Sequence, residues 1–255
     1  MPPEPEIANE IRSFTLPSEE NPFEELSASI RWEDVGKGRL GAVLSRVDEA
    51  GGAALVRTTT RYGSPAQRFR AVHEGLVQRI QERAGLTVGF NNALVERYTN
   101  AYKTMGAHSD QALDLAEGSA IAVFSCYERP DAEPSRKLIF SRKGGGEERF
   151  EVSLGHSSVV LFSVEANRRL KHKIVLDKSV PGENPWLGVT FRTSKTFVRY
   201  RDGHAFLPQG ARLTPADEEQ AHEFYRLRRR ENNETDFTYP LLTYTISESD
   251  LLPPV

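Results

Sequence analysis

A series of short apolar runs between residues 88 and 198 constrains the fold of this chain most strongly. The runs are rich in β-branched and aromatic residues, and turns such as Arg129-Pro130-Asp131 and Gly144-Gly145-Gly146 separate them. Many short strands at this spacing, with helices before them, are typical of a double-sheet jelly roll. The pattern predicts strands at residues 93–98, 119–126, 137–141, 149–154, 157–164, 170–176 and 187–198.

Two more strands and a helix are predicted upstream. Residues 41–44 and 53–56 have the composition of strands, and the Gly51-Gly52 turn lies between them. Ser64 followed by Pro65 is typical of a helix start, so we expect a helix over residues 65–84 that ends at Gly85. Its apolar residues recur at helical spacing on one face: Phe69, Val72, Leu76, Val77 and Ile80.

A second helix is predicted near the C-terminus. Thr214 is its expected cap, Pro215 its first-turn proline and Asp217 its capping-box acid. Four arginines fill its last turns, where they complement the helix dipole, and a nucleic-acid patch is the alternative interpretation. These arginines are Arg226, Arg228, Arg229 and Arg230.

The predicted fold class is mainly β (α+β): a double-stranded β-helix, or jelly roll, with flanking helices and a C-terminal helical extension. Residues 1–27 form an acidic arm, in which residues 1–26 hold seven acids against Arg12 alone. Residues 28–198 form the jelly-roll domain, and residues 199–255 are an extension packed on it. Outside the arm the chain is weakly basic, which is unlike a DNA-coating protein but does not exclude a nucleic-acid substrate.

Cysteine usage and hydropathy indicate the compartment. The one cysteine, Cys126, excludes an internal disulfide and a multi-cysteine metal site. No stretch approaches 18 apolar residues, and the N-terminus lacks the basic and apolar regions of a signal peptide. We therefore expect no membrane partner and an intracellular location, cytoplasmic or nuclear if the source is eukaryotic. The oligomeric state stays open.

Three residues carry the chemistry that the sequence suggests. His108 and Asp110 lie two positions apart, and His172 begins a predicted strand 64 residues after His108. Two histidines and one carboxylate on one face of a metal leave adjacent positions open, as a non-haem Fe(II) site requires. Arg192 follows on a late strand, where it could pair with a carboxylate of a dicarboxylate co-substrate.

Five segments together resemble the AlkB-like Fe(II)/2-oxoglutarate dioxygenases. They are FNNALVERY at 90–98, GAHSD at 106–110, GSAIA at 118–122, LGHSSVV at 154–160 and LGVTFR at 187–192. The resemblance covers residues 55–198. It implies a jelly roll that uses Fe(II), 2-oxoglutarate and O₂ to hydroxylate a carbon or to demethylate a nitrogen.

The resemblance also implies roles for individual residues. His108, Asp110 and His172 would bind iron. Tyr98, Arg192 and Ser194 would contact the small-molecule co-substrate 2-oxoglutarate. The residues that would face the substrate are Arg61, Tyr62, Glu96 and Gln111, of which Arg61 and Tyr62 resemble the family's substrate lid.

This chain departs from the family at three places. Glu96 stands where the family usually has Asn, and Gln111-Ala112 stands where an acidic residue often follows the HxD motif. Trp186 and Gly188 replace an Arg-x-Asn pattern, and no other base is evident in the sequence to compensate for the missing arginine. The substrate is therefore open among an alkylated nucleobase in nucleic acid, a small molecule and a protein side chain. A catalytically silent jelly-roll binding module is the remaining hypothesis.

Overall fold

The computed structural model describes residues 6–146, 148–177 and 182–255. The helices in these ranges are α1 (Ile7–Glu10), α2 (Pro22–Ser29), α3 (Ala71–Ala84), α4 (Val164–Arg169), α5 (Glu218–Glu231) and a 3₁₀ helix (Glu248–Leu251). The strands are β1 (Ile11–Thr15), β2 (Glu33–Asp34), β3 (Arg39–Ser45), β4 (Ala53–Leu55), β5 (Gln67–Arg68), β6 (Asn92–Tyr98), β7 (Ala120–Tyr127), β8 (Arg136–Arg142), β9 (Arg149–Ser153), β10 (Ser158–Ser163), β11 (Leu170–Leu176), β12 (Trp186–Arg192), β13 (Thr196–Arg201), β14 (His204–Phe206), β15 (Arg212–Pro215) and β16 (Tyr244–Thr245).

Two sheets, antiparallel except for one parallel strand pair, form the body of the fold. The larger sheet has the order β1-β10-β7-β12-β6-β3-β2, with β5 parallel to β3, and the smaller has the order β11-β8-β9. Several neighbouring strands are far apart in the chain, as β12 pairs with β6 and β11 with β8, whereas β2–β3 and β8–β9 are consecutive. This mainly-β jelly roll confirms the predicted fold class.

A core between the two sheets explains the apolar strands. Along β7, Ile121 and Val123 pack into the same cluster as Leu138 and Phe140 of the smaller sheet. The alternate residue Phe124 packs into a second cluster on the opposite face. Because both faces of β7 are covered, its sequence is a continuous apolar run.

Helices α2 and α3 cover the outer face of the larger sheet. Leu26 of α2 and Leu76, Val77 and Ile80 of α3 are buried in the second cluster, as the helical spacing predicts. Gly85 ends α3 in the left-handed conformation with a φ of 67°, which a glycine adopts without strain.

The predicted start of this helix at residue 65 is wrong, because α3 begins at Ala71. Gln67 instead pairs with Leu44 of β3, and its side chain exchanges two hydrogen bonds with the backbone of Arg31. The Arg68 amide donates to the carbonyl of Val255 at 2.8 Å. These long-range contacts outweigh the local signal of Ser64 and Pro65.

The C-terminal extension contributes strands to a third sheet, which also contains β4, and forms helix α5. The order of this sheet is β16-β15-β14-β13-β4. Thr214 and Pro215 belong to β15, so the expected cap at Thr214 is wrong, and Asp217 is the cap residue of α5. The Asp217 carboxylate accepts from the Gln220 amide at 2.8 Å.

The N-terminal segment adds a strand to the fold. β1 lies in the larger sheet and pairs with β10 from Ile11↔Phe162 to Thr15↔Ser158. Residues 1–5 of the predicted arm lie outside the described residues. Within the part of the chain that the structure describes, no helix is long and apolar enough to cross a membrane.

Candidate metal centre and cavity

The structure brings His108, Asp110 and His172 together. His108 and His172 are paired across an antiparallel bridge, where their backbones exchange hydrogen bonds of 3.0 and 2.6 Å. Asp110 is two residues beyond His108, so that in an extended segment both side chains point to the same side. Asp110 Oδ1 lies 3.9 Å from Nε2 of His108 and 3.6 Å from Nε2 of His172. One ligand atom from each residue lies within 4.8 Å of the others, which is compatible with a single metal ion.

Burial and neighbouring charges keep these groups in the forms that bind a metal. Burial lowers the pKa of His172 to about 3, and His108 acts in the same direction. Burial also lowers the pKa of His108. Burial alone would raise the pKa of Asp110, but Arg192 and the two histidines hold that pKa well below its usual range. Neutral imidazoles and an ionised carboxylate are the metal-binding forms.

Contacts behind the ligand atoms orient the triad. The Nδ1 of His108 lies 2.9 Å from the carbonyl of Gly106, which leaves Nε2 free for a metal. The Asp110 amide donates to Oδ1 of Asn167 at 2.7 Å, and Asn167 Nδ2 donates back to the Asp110 carbonyl at 2.8 Å. Asn167 belongs to α4, directly before the strand of His172. Asn167 could not be identified from the sequence, because no local pattern marks a buried asparagine whose hydrogen-bond partner lies 57 residues away.

Arg192 lies against the triad at the end of β12. Its Nε donates to Asp110 Oδ2 at 2.7 Å. Among the described residues its two terminal nitrogens have no hydrogen-bond partner, although the side chain is buried. A guanidinium with free terminal nitrogens beside a metal site offers the two parallel donors that a carboxylate accepts.

The end of α5 holds the loop that carries His108 and Asp110. Arg228 donates to the Ser109 carbonyl at 2.8 Å, and Asn232 Oδ1 accepts from the Ser109 amide at 2.9 Å. Glu231 Oε1 accepts from the Ala112 amide at 2.8 Å. Arg228 is therefore a buried structural residue rather than part of a surface patch. The predicted C-terminal helix thus supports the candidate site directly.

A cavity of about 390 Å³ opens beside the triad. Its wall includes Arg39, Arg57, Glu96, Gln111, Arg192 and Arg228, together with His108 and Asp110. Glu96 and Gln111 thus line this cavity, and their role toward a substrate stays a prediction. Arg61, Tyr62, Tyr98 and Ser194 are not among the described residues that line it.

Those four residues lie elsewhere in the structure. Arg61 is exposed, and Tyr62 is buried against Gly41. Tyr98 donates from its hydroxyl to Glu96 Oε2 at 2.8 Å, and the Ser194 hydroxyl donates to the backbone carbonyls of Leu55 and Thr196. Their roles toward a co-substrate or a substrate stay predictions.

Glu96 lies between Tyr98 and Arg39. Arg39 Nη1 is 3.5 Å from Glu96 Oε1. Burial raises the pKa of Glu96 and outweighs the opposing effect of Arg39. The carboxyl group in the cavity wall is thus already engaged by two neighbours.

Trp186 and Gly188 form one packing unit. The Trp186 indole donates to Ser125 Oγ at 2.7 Å, and its ring centroid is 4.8 Å from that of Tyr98. A Cβ at position 188 would lie 2.0 Å from Cη2 of Trp186, so only glycine fits under the indole. The two departures from the family pattern therefore depend on each other.

A buried base, Arg136, lies over the ring of Tyr98, which also packs against Trp186. The Arg136 guanidinium is 5.4 Å from the centroid of the Tyr98 ring, and its Nη2 donates to the Thr99 carbonyl at 2.7 Å. Arg136 is not among the described residues that line the cavity, so the expectation that no base compensates for the missing arginine stays a prediction. Arg136 comes from the smaller sheet, 50 residues before Trp186 in the chain, so their proximity follows only from the fold.

Comparison with known proteins gave one match among curated sequences. The chain is 28% identical over 129 residues to a protein of Bos taurus named DNA oxidative demethylase ALKBH2, covering 46% of this chain and 42% of that protein. The chain is AlkB-like. The match spans less than half of the length of ALKBH2, and no family model matches the AlkB-like chain.

A search of solved structures found a protein described as OsALKBH1. That match has a TM-score of 0.41 at 14% identity and covers 61% of the AlkB-like chain and 78% of OsALKBH1.

Proposed function

We propose that this AlkB-like chain is an Fe(II)- and 2-oxoglutarate-dependent dioxygenase that acts on an alkylated nucleobase by hydroxylation or oxidative N-demethylation. The observation that carries the proposal is the His108–Asp110–His172 cluster with Arg192 bonded to its carboxylate. Two imidazoles and one carboxylate form the donor set of non-haem Fe(II) oxygenases, in which further positions on the metal stay open.

The residues present fit both groups that the proposal requires. His108, Asp110 and His172 would hold the iron, since their ligand atoms converge in their metal-binding protonation states. Arg192 would hold a carboxylate of 2-oxoglutarate, because its two terminal nitrogens are free among the described residues and the cavity lies beside them.

With these groups bound, one oxygen atom of O₂ enters 2-oxoglutarate, which becomes succinate and CO₂, and the other is inserted into a C–H bond of the substrate. On an N-methyl group the resulting N–CH₂–OH breaks down to formaldehyde and N–H. The chain's own contribution is positioning. Asn167 and α5 hold the backbone around Asp110, Gly106 orients His108, and Arg192 orients the co-substrate.

The nucleobase substrate is supported by the sequence match to ALKBH2, whose name states that it demethylates DNA. Nucleic acid is accordingly the proposed partner, and the proposed location is intracellular. A hydroxylase of small molecules or protein side chains, and a silent binding module, are the competing functions.

Succinate formation tests the reaction class. The wild-type chain, given Fe(II), 2-oxoglutarate and O₂, should form succinate slowly without substrate and faster with a methylated oligonucleotide. His108→Ala, Asp110→Ala and His172→Ala should each abolish it, because three protein ligands hold a facial site. No succinate from the folded wild type would favour the silent module. Succinate that no methylated oligonucleotide accelerates would favour another substrate.

A further inference from the structure

A buried lysine without an acidic partner lies near the candidate site. Lys143 directly follows β8 and is 7% exposed. Its backbone amide donates to the Arg169 carbonyl at 2.9 Å, whereas its ammonium group has no hydrogen bond or ion pair with any described residue. Lysine is rarely buried unless it is paired, because an unpaired charge is costly to bury.

The other buried bases of the described chain differ from Lys143 in this respect. Each donates hydrogen bonds to a carboxylate or to a backbone carbonyl of the protein, so that its charge is solvated from within. These bases are Arg57, Arg136, Arg192 and Arg228. The ammonium group of Lys143 therefore lacks a partner that the fold supplies to every other buried base in the described residues.

The charged groups around Lys143 are themselves bases. Burial lowers the pKa of Lys143 to about 8, and Arg228, Lys171 and Arg168 act in the same direction. No acid of the described residues opposes them. Arg228 and Arg168 have acidic partners of their own, so the positive charges left unbalanced are those of Lys143 and Lys171. These four bases are called the Lys143 cluster below.

The pairing that holds the metal ligands also assembles this cluster. The antiparallel bridge between the two ligand histidines places Ser109 opposite Lys171. Arg228 donates to the Ser109 carbonyl at 2.8 Å. The carbonyl that accepts from the Lys143 amide belongs to Arg169, two residues before Lys171. The Lys143 cluster thus lies directly behind the loop that carries the ligands.

The arginine run of α5 is not the source of the unbalanced charge. Arg226, Arg228 and Arg230 each pair with an acid three or four residues away in the chain. The sequence offered a nucleic-acid patch on these arginines as an alternative interpretation. In the structure the free positive charge lies instead at Lys143 and Lys171.

A phosphate group has the chemistry that the Lys143 cluster lacks. A lysine ammonium is a compact charge with three donors, and it binds phosphate as a point charge. About half to two-thirds of protein–DNA hydrogen bonds go to phosphates and sugars. A base that enters the cavity leaves its flanking phosphates outside it, and Arg228 belongs both to the cavity wall and to the cluster.

We infer that Lys143, together with Lys171, binds a phosphate group of the nucleic-acid strand next to the alkylated base. The inference rests on the proposed function and adds the backbone contact that positions the strand over the cavity. Because the contact is to phosphate, it carries no information about the sequence of the strand.

The salt dependence of binding tests this contact. The probe is a short single-stranded DNA with one central 3-methylthymine, and fluorescence anisotropy with Mn(II)- and 2-oxoglutarate-loaded protein gives its dissociation constant at several salt concentrations. Lys143→Met keeps the length of the side chain and removes its charge. It should weaken binding about fivefold to tenfold at about 50 mM salt and lower the salt slope by about 0.7, the value for one phosphate contact on a single strand.

Two further variants separate the charge from a structural role. Lys143→Arg keeps the charge and should keep the salt slope, whereas Lys171→Met should weaken binding in the same direction as Lys143→Met. Lys143→Met should not lower the melting temperature, because it removes an unpaired buried charge. Lys195→Met is the matched control, since Lys195 is exposed and is not among the bases around Lys143, and it should keep the wild-type slope.

Neutral linkages in the DNA locate the phosphate. A methylphosphonate, which replaces a charged oxygen by a methyl group, is placed in turn at each linkage that flanks the 3-methylthymine. The wild type should lose affinity at one of these linkages, and Lys143→Met should show no further loss there, as expected when both changes remove the same contact.

The outcomes distinguish this inference from the proposed function. A folded Lys143→Met with the wild-type affinity and slope, or equal losses at every linkage in both proteins, would overturn the inference while leaving a nucleic-acid substrate in place. A wild type that does not bind the strand would overturn the inference and the nucleic-acid substrate together. Succinate formation by the same wild-type preparation would then show that the reaction class still stands.

Discussion

Replacing Asn167 by Ala tests whether its hydrogen bonds to the backbone of Asp110 stabilise the candidate metal site. Asn167 is 1% exposed and exchanges two hydrogen bonds, of 2.7 and 2.8 Å, with the backbone of Asp110. Alanine leaves a buried N–H and a buried C=O without these partners, at about 1–3 kcal/mol each. We expect the free energy of unfolding to fall by about 3 kcal/mol in Asn167→Ala, measured by urea denaturation.

The same change should weaken metal binding. The two hydrogen bonds fix the backbone from which the Asp110 carboxylate projects, and outer contacts of this kind change metal affinity by about 10- to 100-fold. Titration with Mn(II), followed by calorimetry, would measure the loss. Asn233→Ala is the matched control, because Asn233 is exposed and its side chain donates to the Arg229 carbonyl rather than to the backbone of Asp110. This variant should change neither quantity.

A second control separates positioning from general destabilisation. Leu213→Ala removes a buried side chain from the third sheet and should also cost about 2–5 kcal/mol. It should leave Mn(II) affinity unchanged in the folded protein. An Asn167→Ala variant that binds Mn(II) within twofold of the wild type would refute the positioning argument.

Three further predictions concern single side chains. Arg192→Lys keeps the charge but loses the planar guanidinium, which can donate two parallel hydrogen bonds. The apparent KM for 2-oxoglutarate in succinate formation at saturating Fe(II) should therefore rise tenfold to a hundredfold, about 1.4–2.7 kcal/mol. An unchanged KM would place the co-substrate elsewhere. Gly188→Ala should lower the melting temperature, because the alanine Cβ would lie 2.0 Å from the Trp186 ring. Adding Trp186→Leu to this variant should restore part of the melting temperature. An unchanged melting temperature in Gly188→Ala alone would contradict this packing. Burial raises the pKa of Asp250 from 3.8 to about 7, so between pH 4 and pH 7 the folded chain keeps a proton that the unfolded chain releases. The free energy of unfolding should therefore fall as the pH rises through this range, with a slope of up to about 1.4 kcal/mol per pH unit. Asp250→Asn should flatten that slope in urea denaturation measured at several pH values, and an unchanged slope would exclude Asp250 as its source.

The strands of the jelly roll follow from the sequence because their signal is local. The predicted strand at 170–176 coincides with Leu170–Leu176, and the one at 119–126 differs from Ala120–Tyr127 by one residue at each end. Alternation and apolar runs determine which residues can lie between two sheets, and this requires no knowledge of the partner strand. The predicted strand at 187–198 is wrong in extent, since the structure divides it into β12 and β13.

The errors arise where distant contacts decide the local structure. The segment around Gln67 has a helix-start signal but pairs with β3 and Arg31, so the helix begins six residues later than predicted. Thr214 has the chemistry of a cap, yet it lies in β15 beside Tyr244 of β16. Propensity is a weak signal, and tertiary pairing overrides it.

In the candidate site, too, local sequence patterns predict some residues and only the fold brings the others together. The HxD spacing and a distal histidine could be read from the sequence, and the fold places their ligand atoms together. The contacts of Asn167, Arg136 and Arg228 could not be predicted, because each joins segments that are far apart in the chain.

Anaerobic titration with Fe(II) and then 2-oxoglutarate, followed by visible absorption, shows whether His108, Asp110 and His172 hold iron. We expect one Fe(II) per chain and a charge-transfer band that develops when 2-oxoglutarate binds the iron held by these three residues. His172→Ala should lose the band. A folded wild type that shows no band, or a His172→Ala variant with the wild-type band and stoichiometry, would contradict the assignment of this cluster as the metal site.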